Sequence, residues 1–180
     1  MKRPLGTLCL LASLSGCGYH QVGSATHLPP GVHTVAVPIF ATRVQAFRTE
    51  VIFTQAVVHE LNAATNYRVL TDISTTNQSN VAPQADAILR GTILTQAVTP
   101  LTYDSTSGQT SSYLISITAQ VELVAHDGRV LYRNDAFPWR EQFQSTQDLS
   151  GFVQEDSAAV HRLARDFAQA LVAEMTESLQ

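Results

Sequence analysis

The chain has 180 residues, with 11 Lys and Arg against 15 Asp and Glu and a formal net charge of −4. Lys2 is its only lysine. An acidic chain of this kind is a poor candidate for non-specific nucleic-acid binding, which draws its affinity from neutralised phosphates. The length suits one domain of ordinary size with a real core.

Lys2 and Arg3 precede an apolar run from Leu5 to Leu14. That run suits the core of a signal peptide and falls well short of the ~20 residues a spanning helix needs. It ends in Leu14-Ser15-Gly16-Cys17, which resembles the lipobox of bacterial lipoproteins. Small residues let the extended backbone enter a peptidase, and the Cys17 thiol is the nucleophile that takes the lipid. The expected organisation is a lipoprotein signal peptide at 1–16, a lipid anchor and tether at 17–32, and a single domain at 33–180. Two or three acyl chains on Cys17, palmitate among them, would hold stably, since each buried methylene contributes ~0.8 kcal/mol. Gly18 follows the anchor rather than Asp, which in the enteric sorting scheme favours the outer membrane. Without Lys2 and Arg3 the 11 cations become nine against 15 acids, a net charge of −6. Cys9 leaves with the leader, so no internal disulfide can form.

The tether is punctuated by Gly18, Gly23, Pro29, Pro30 and Gly31. His33 to Phe40 is rich in β-branched residues and predicts a strand, with Pro38 pushing it to an edge or a strand end. Phe47, Val51, Thr54, Val58 and Leu61 recur at helical spacing and predict a helix from Phe47 to Ala64, with Asn66 as its stop. Tyr67 to Leu70 reads as a short strand, and residues 71–84 as a polar loop. Ala85 to Thr102 is the first of three long strands. Ser111 to Ala125 is the second, with Tyr113, Ile115, Ile117, Ala119, Val121 and Leu123 on one face and Ser116, Thr118, Gln120 and Glu122 on the other. Asp127-Gly128 is a turn dipeptide. Arg129 to Phe143 is the third, with Leu131, Phe137, Trp139 and Phe143 on one parity. A helix from Gln154 to Leu179 closes the chain, with Val160, Leu163, Phe167 and Leu171 on one face beside Ala164 and Ala168. Two amphipathic helices over one face of a sheet make a two-layer α+β domain.

No nucleophile elbow, glycine-rich phosphate loop or His-Glu-x-x-His motif is present. The six histidines have no metal-type spacing. Glu155 and Asp156 are adjacent and diverge on a helix. The reading is therefore a non-enzyme without cofactor or metal. Arg129, Arg133 and Arg140 share the last long strand, where a solvated face or cross-strand pairing with Glu122 is the plain account.

Several stretches together resemble the lipopolysaccharide-assembly lipoprotein family LptE. They are Cys17-Gly18-Tyr19-His20, Leu28-Pro29-Pro30-Gly31 leading into the first strand, and Gly108-Gln109-Thr110 followed by Tyr113. The order strand, helix, strands, helix agrees over nearly the whole length after the leader. The resemblance implies an α+β two-layer sandwich, with two helices packed on one face of a four- to five-stranded, mostly antiparallel sheet. It implies a periplasm-facing plug that helps the outer-membrane β-barrel LptD assemble and supports lipopolysaccharide transport to the outer leaflet. It also implies no reaction and no cofactor. Basic residues that family members carry near the Gly-Gln-Thr loop and at the start of the last helix have no counterpart at 104–112 or 149–160. Retention of lipopolysaccharide binding stays open, with Arg90, Arg129 and Arg133 as candidate contacts. The alternative is another lipid-anchored periplasmic module, such as a secretin pilotin or a peptidoglycan-synthase activator.

Overall fold

The structure is a computed structural model that describes residues 31–44, 48–71, 85–103, 105, 110–144 and 149–179, with backbone alone at 110–111 and 149–157. In chain order the elements are β1 (Thr34–Ala36), β2 (Ala41–Thr42), α1 (Thr49–Ala64), β3 (Arg68–Leu70), β4 (Ala87–Tyr103), β5 (Thr110–Ala125), β6 (Val130–Gln144) and α2 (Leu149–Ser178). One sheet runs β3-β1-β4-β5-β6, and β2 lies further along the same side of β4 as β1. β1 pairs parallel with β3 and β4, as does β2 with β4, while the long β4-β5 and β5-β6 ladders are antiparallel. The two helices pack on the face that carries Ile115, Ile117, Ala119, Val121 and Leu123, all buried. The architecture is the expected α+β sandwich with one more strand: the first predicted strand is shortened to Thr34–Ala36, and Ala41–Thr42 just beyond it forms an unpredicted short strand.

Pro38 lies between β1 and β2. It has no N–H to give a ladder, and it stands past the end of β1, which is an inner strand and not an edge. The chain then folds inward. The Phe40 N–H donates to Thr54 Oγ1 at 2.9 Å, and the Phe40 side chain is 2% exposed. Its ring lies flat against Gly91 of β4, where a Cβ would come within 2.4 Å of Phe40 Cδ2 and Cε2. Only glycine leaves that space. At the other end of β1, Asp86 Oδ2 accepts from the N–H groups of His33 at 2.9 Å and Thr34 at 2.8 Å. The His126 N–H donates to the Asp86 carbonyl at 2.8 Å. Those bonds fix where the chain enters the domain.

α1 buries Thr49, Phe53, Thr54, Val57 and Leu61. The expected face was rotated from this one: Val51 and Val58 are only half-buried, and Phe47 lies outside the described residues. The cause is an apolar surface wider than one stripe, so that spacing alone cannot choose the side. α2 chooses it, through an edge-to-face contact of Phe53 with Phe167 at 5.0 Å. Phe167 also meets Phe137 of β6 edge to face at 5.2 Å. The helix ends at Ala64 as expected, but Thr65 and not Asn66 stops it, its N–H and hydroxyl both donating to the Leu61 carbonyl.

β5 keeps the predicted alternation along its described side chains. β6 does not keep one parity. Its register with β5 passes from Ala119↔Phe137 to Val121↔Asn134, so Asp135 and Ala136 together oppose Gln120. This bulge moves the core face to even-numbered residues, and Tyr132 is buried where Leu131 was expected. Leu131 is the extra residue of a second irregularity, between Leu123↔Tyr132 and Val124↔Val130. α2 buries Val160, Leu163, Ala164, Phe167, Ala168 and Leu171 as predicted, and it begins five residues earlier than expected. Glu174 ties it to β6, accepting from the Tyr132 hydroxyl at 2.9 Å and from Asn134 Nδ2 at 3.0 Å.

Candidate interaction surfaces

Among the described residues no group of three His, Cys, Asp or Glu could hold a metal ion, and no helix is long and apolar enough to cross a membrane. His59 and His161 are exposed on the two helices, along a shallow groove shared with Glu60 and Arg165. Glu141 is engaged by Arg162 of α2 at 3.1 Å. The side chains of Glu155 and Asp156 lie outside the described residues, as do Cys17, Asp104, Gly108 and Gln109. What the domain presents is surface, of three kinds.

The first is the sheet face that the helices leave open. Its rows follow from the register: Arg90-Glu122-Arg133, Thr95-Thr118-Pro138, Ala97-Ser116-Arg140 and Thr99-Leu114-Gln142. Four of these twelve residues are Thr or Ser; the first row is fully charged, and Arg140 adds a cation further along. Arg90 Nη1 stands 3.9 Å from Glu122 Oε1, and Arg133 Nε donates to Asp135 Oδ1 at 2.7 Å. Gln120 Nε2 donates to the same oxygen at 3.0 Å. Two strands apart, Arg90 and Arg133 are separated by roughly 10 Å of sheet, with Glu122 between them. Arg129 is elsewhere, at the β5–β6 turn, 3.9 Å from Asp127. The structure therefore brings together two of the three candidate arginines, and all three lie near acids. Such exposed pairs contribute little to stability, ~0–1 kcal/mol.

The second surface is the far half of the β4–β5 hairpin. β2 reaches only as far as Ile93, and β4 continues to Tyr103. Along this stretch Val98 is 45% exposed, Leu101 44% and Tyr103 64%.

The third is a groove of about 380 Å³ along the outer flank of α1. Val37, Ile39, Val51 and Val58 supply its apolar wall, with Gln55, His59, Asn62 and Thr71 at the rim. These valines of α1 are the residues that the helical spacing assigned to the core. The excess of apolar positions on α1 was the sequence signal for the groove; nothing local signalled the exposed hairpin. Close by in sequence, the Tyr67 hydroxyl is buried without a hydrogen-bond partner among the described residues, and burial pushes its pKa up to about 12.

The described residues form a two-layer α+β module with a broad open sheet face. The family model described as LptE, lipopolysaccharide-assembly, matches residues 32–175, and the chain belongs to that non-enzymatic family. No curated protein matches the chain. Among solved structures it is similar to the hypothetical protein CT253 of Chlamydia trachomatis, at 12% identity and a TM-score of 0.53 over 82% of this chain and 98% of that one. It is also similar to protein XCC0632 of Xanthomonas campestris, at 12% identity and a TM-score of 0.51 over 83% and 87% of the two chains. At these identities the likeness speaks for the fold. Rare lipoprotein B of Shewanella oneidensis aligns over 79% of this chain and 95% of its own, at 12% identity and a TM-score of 0.49.

Proposed function

We propose that this lipopolysaccharide-assembly protein is an outer-membrane lipoprotein, anchored through lipid on Cys17 and facing the periplasm. In this reading it plugs an LptD-type β-barrel, helps the barrel assemble, and so supports delivery of lipopolysaccharide to the outer leaflet. Residues 1–16 are then the leader, 17–32 the anchor and tether, and 33–180 the plug. The observation that carries the reading is the family match, which runs from the first buried residue of the domain, Val32, into the last turns of α2. The open sheet face adds physical support. Its mixed hydroxyl, amide and charged side chains suit a wet contact with a barrel lumen better than a large apolar patch would.

Arg90 and Arg133 are the proposed phosphate contacts, with Arg129 further off at the turn. A phosphate reaching Arg133 competes with Asp135, so this binding is weak and salt-sensitive. Replacing Arg90 and Arg133 together by Ala should lower lipopolysaccharide retention by the purified protein; unchanged retention removes both residues from the reading.

The deciding experiment is affinity isolation of the tagged full-length protein from detergent-solubilised envelopes, with mass spectrometry of what accompanies it. A stoichiometric large β-barrel is the expected result. A secretin or a cell-wall synthase in its place would overturn the plug reading.

A further inference from the structure

We infer that the groove on α1 is the seat of the chain's own tether, residues 18–30. The groove is a site of real size, within the ~300–1,000 Å³ of ligand clefts, and its lining contains no Asp, Glu, Lys or Arg. From Val51 to Asn62 it follows α1 for about 16 Å. Five or six extended residues cover that distance.

Four features single out this occupant. The tether carries no Asp, Glu, Lys or Arg from Gly18 to Gly31, so it brings no charge that would have to be desolvated against the valines. Its length is sufficient: 13 extended residues span about 43 Å, well over twice the groove. Its sequence favours an extended path, because Leu28 precedes Pro29 and a residue before proline is held out of the helical region. Val22 and Leu28 then share one side of that path, with Ser24 and Thr26 between them. Finally, the chain enters the domain through Gly31 at φ 93°, a left-handed backbone conformation that lets it turn sharply just before β1. α1 runs back past β1 with its last turns near that point, since the Arg68 N–H that follows the helix donates to the His33 carbonyl at 2.9 Å. A tether reversing at Gly31 meets Asn62 and Val58 first and Val51 last. Being on the same chain, it competes at a high effective concentration.

Docking itself does not depend on the lipid. If Cys17 is the anchor, however, a seated tether leaves only the few residues before Val22 to span from domain to membrane, and the domain is held close and in one orientation.

Disulfide trapping tests this in residues 17–180 carrying Cys17→Ser, a chain otherwise free of cysteine whose core begins at Val32. Val22→Cys is paired with Val51→Cys in the groove, or with His126→Cys as a control. His126 is fixed to Asp86 beside the same point of chain entry, and it is exposed. Dilute oxidation should close the groove pair on the order of tenfold faster than the control pair. Leu28→Cys with Val58→Cys gives a second, independent pair should the first perturb folding. Equal rates for groove and control pairs overturn the proposal. So does preferential trapping of Ile73→Cys by Val58→Cys, which would give the groove to residues 72–84. Predominant formation of a disulfide-linked dimer through Val51→Cys also overturns it, in favour of a second copy. None of these results depends on the barrel partner, so the plug reading stands or falls separately.

Discussion

The contact between Phe40 and Gly91 makes a sharp prediction for Gly91→Ala. By propensity alone the substitution should help, since glycine inside a strand is the weaker residue by roughly 0.5–1 kcal/mol. Packing opposes it. The new methyl would sit 2.4 Å from two Phe40 ring carbons and 2.6 Å from Cγ. The obstacle is a ring, not the end of a flexible side chain, and its backbone is pinned by the bond to Thr54. Overpacking of this kind costs about 1–3 kcal/mol. Complete expulsion of the ring sets the ceiling, at the ~3–5 kcal/mol of a phenylalanine deletion. Net of the propensity gain, destabilisation should therefore be about 0.5–2.5 kcal/mol, with ~4 kcal/mol as the limit. At roughly 2–4 °C per kcal/mol for a domain of this size, the melting temperature should fall by on the order of 1–10 °C. Urea unfolding followed through Trp139, the single tryptophan, reads the change. A double-mutant cycle completes the argument: with Phe40→Ala already present, Gly91→Ala should cost close to nothing. A single-variant change below ~0.5 kcal/mol, or strict additivity in the cycle, would refute the steric account.

Three further outcomes are expected. Tyr67→Phe should be neutral or stabilising by up to ~1 kcal/mol at neutral pH, because the hydroxyl is buried unpaired. Its pKa is raised in the fold, so the wild-type protein should lose stability as pH climbs from about 10 towards about 12 while the variant lacks that component; a loss above ~1 kcal/mol at pH 7 would reveal a partner. Asp86 has its carboxyl held below the usual range, chiefly by the N–H groups of His33 and Thr34. A depressed pKa gives stability that is present above the unfolded value and fades as pH falls through the folded one, so Asp86→Asn should flatten the acid limb of a stability-against-pH curve below about pH 4. An unchanged limb would dismiss the clamp. Cys17→Ala should leave unfolding cooperative while moving the protein from the membrane fraction to the soluble one, since the core of the described residues starts at Val32; persistent membrane association would count against lipid on that residue.

The elements that could be read from the sequence were those whose patterns are local and regular. β5 shows its face because every other residue from Ile115 to Leu123 is apolar, and within that stretch the extra residues of the bulges fall on β4 and β6 and not on β5. α2 shows its face because Val160, Leu163, Phe167 and Leu171 are flanked by small or polar residues. Where two faces were both apolar, as on α1, the choice belonged to Phe167, a residue more than a hundred positions away. Where a strand changed parity, as β6 does at Asp135 and Ala136, the cause was a mismatch with its partner that its own residues do not announce. The arginines follow the same rule. Glu122 was a visible candidate partner, but the row Arg90-Glu122-Arg133 exists only through the register of three strands.

For a protein exported as proposed above, the place of β1 has a consequence. It is the first of the described strands, yet it sits inside the sheet, where Val35 meets Val69 of β3 on one side and Ala87 of β4 on the other. A chain threaded through a membrane from its N-terminus cannot close these contacts until β4 has followed it out. Contacts between residues so far apart in sequence also form slowly. The topology thus keeps the leading segment unfolded, and therefore threadable, for about the first half of its passage, without help from any separate device.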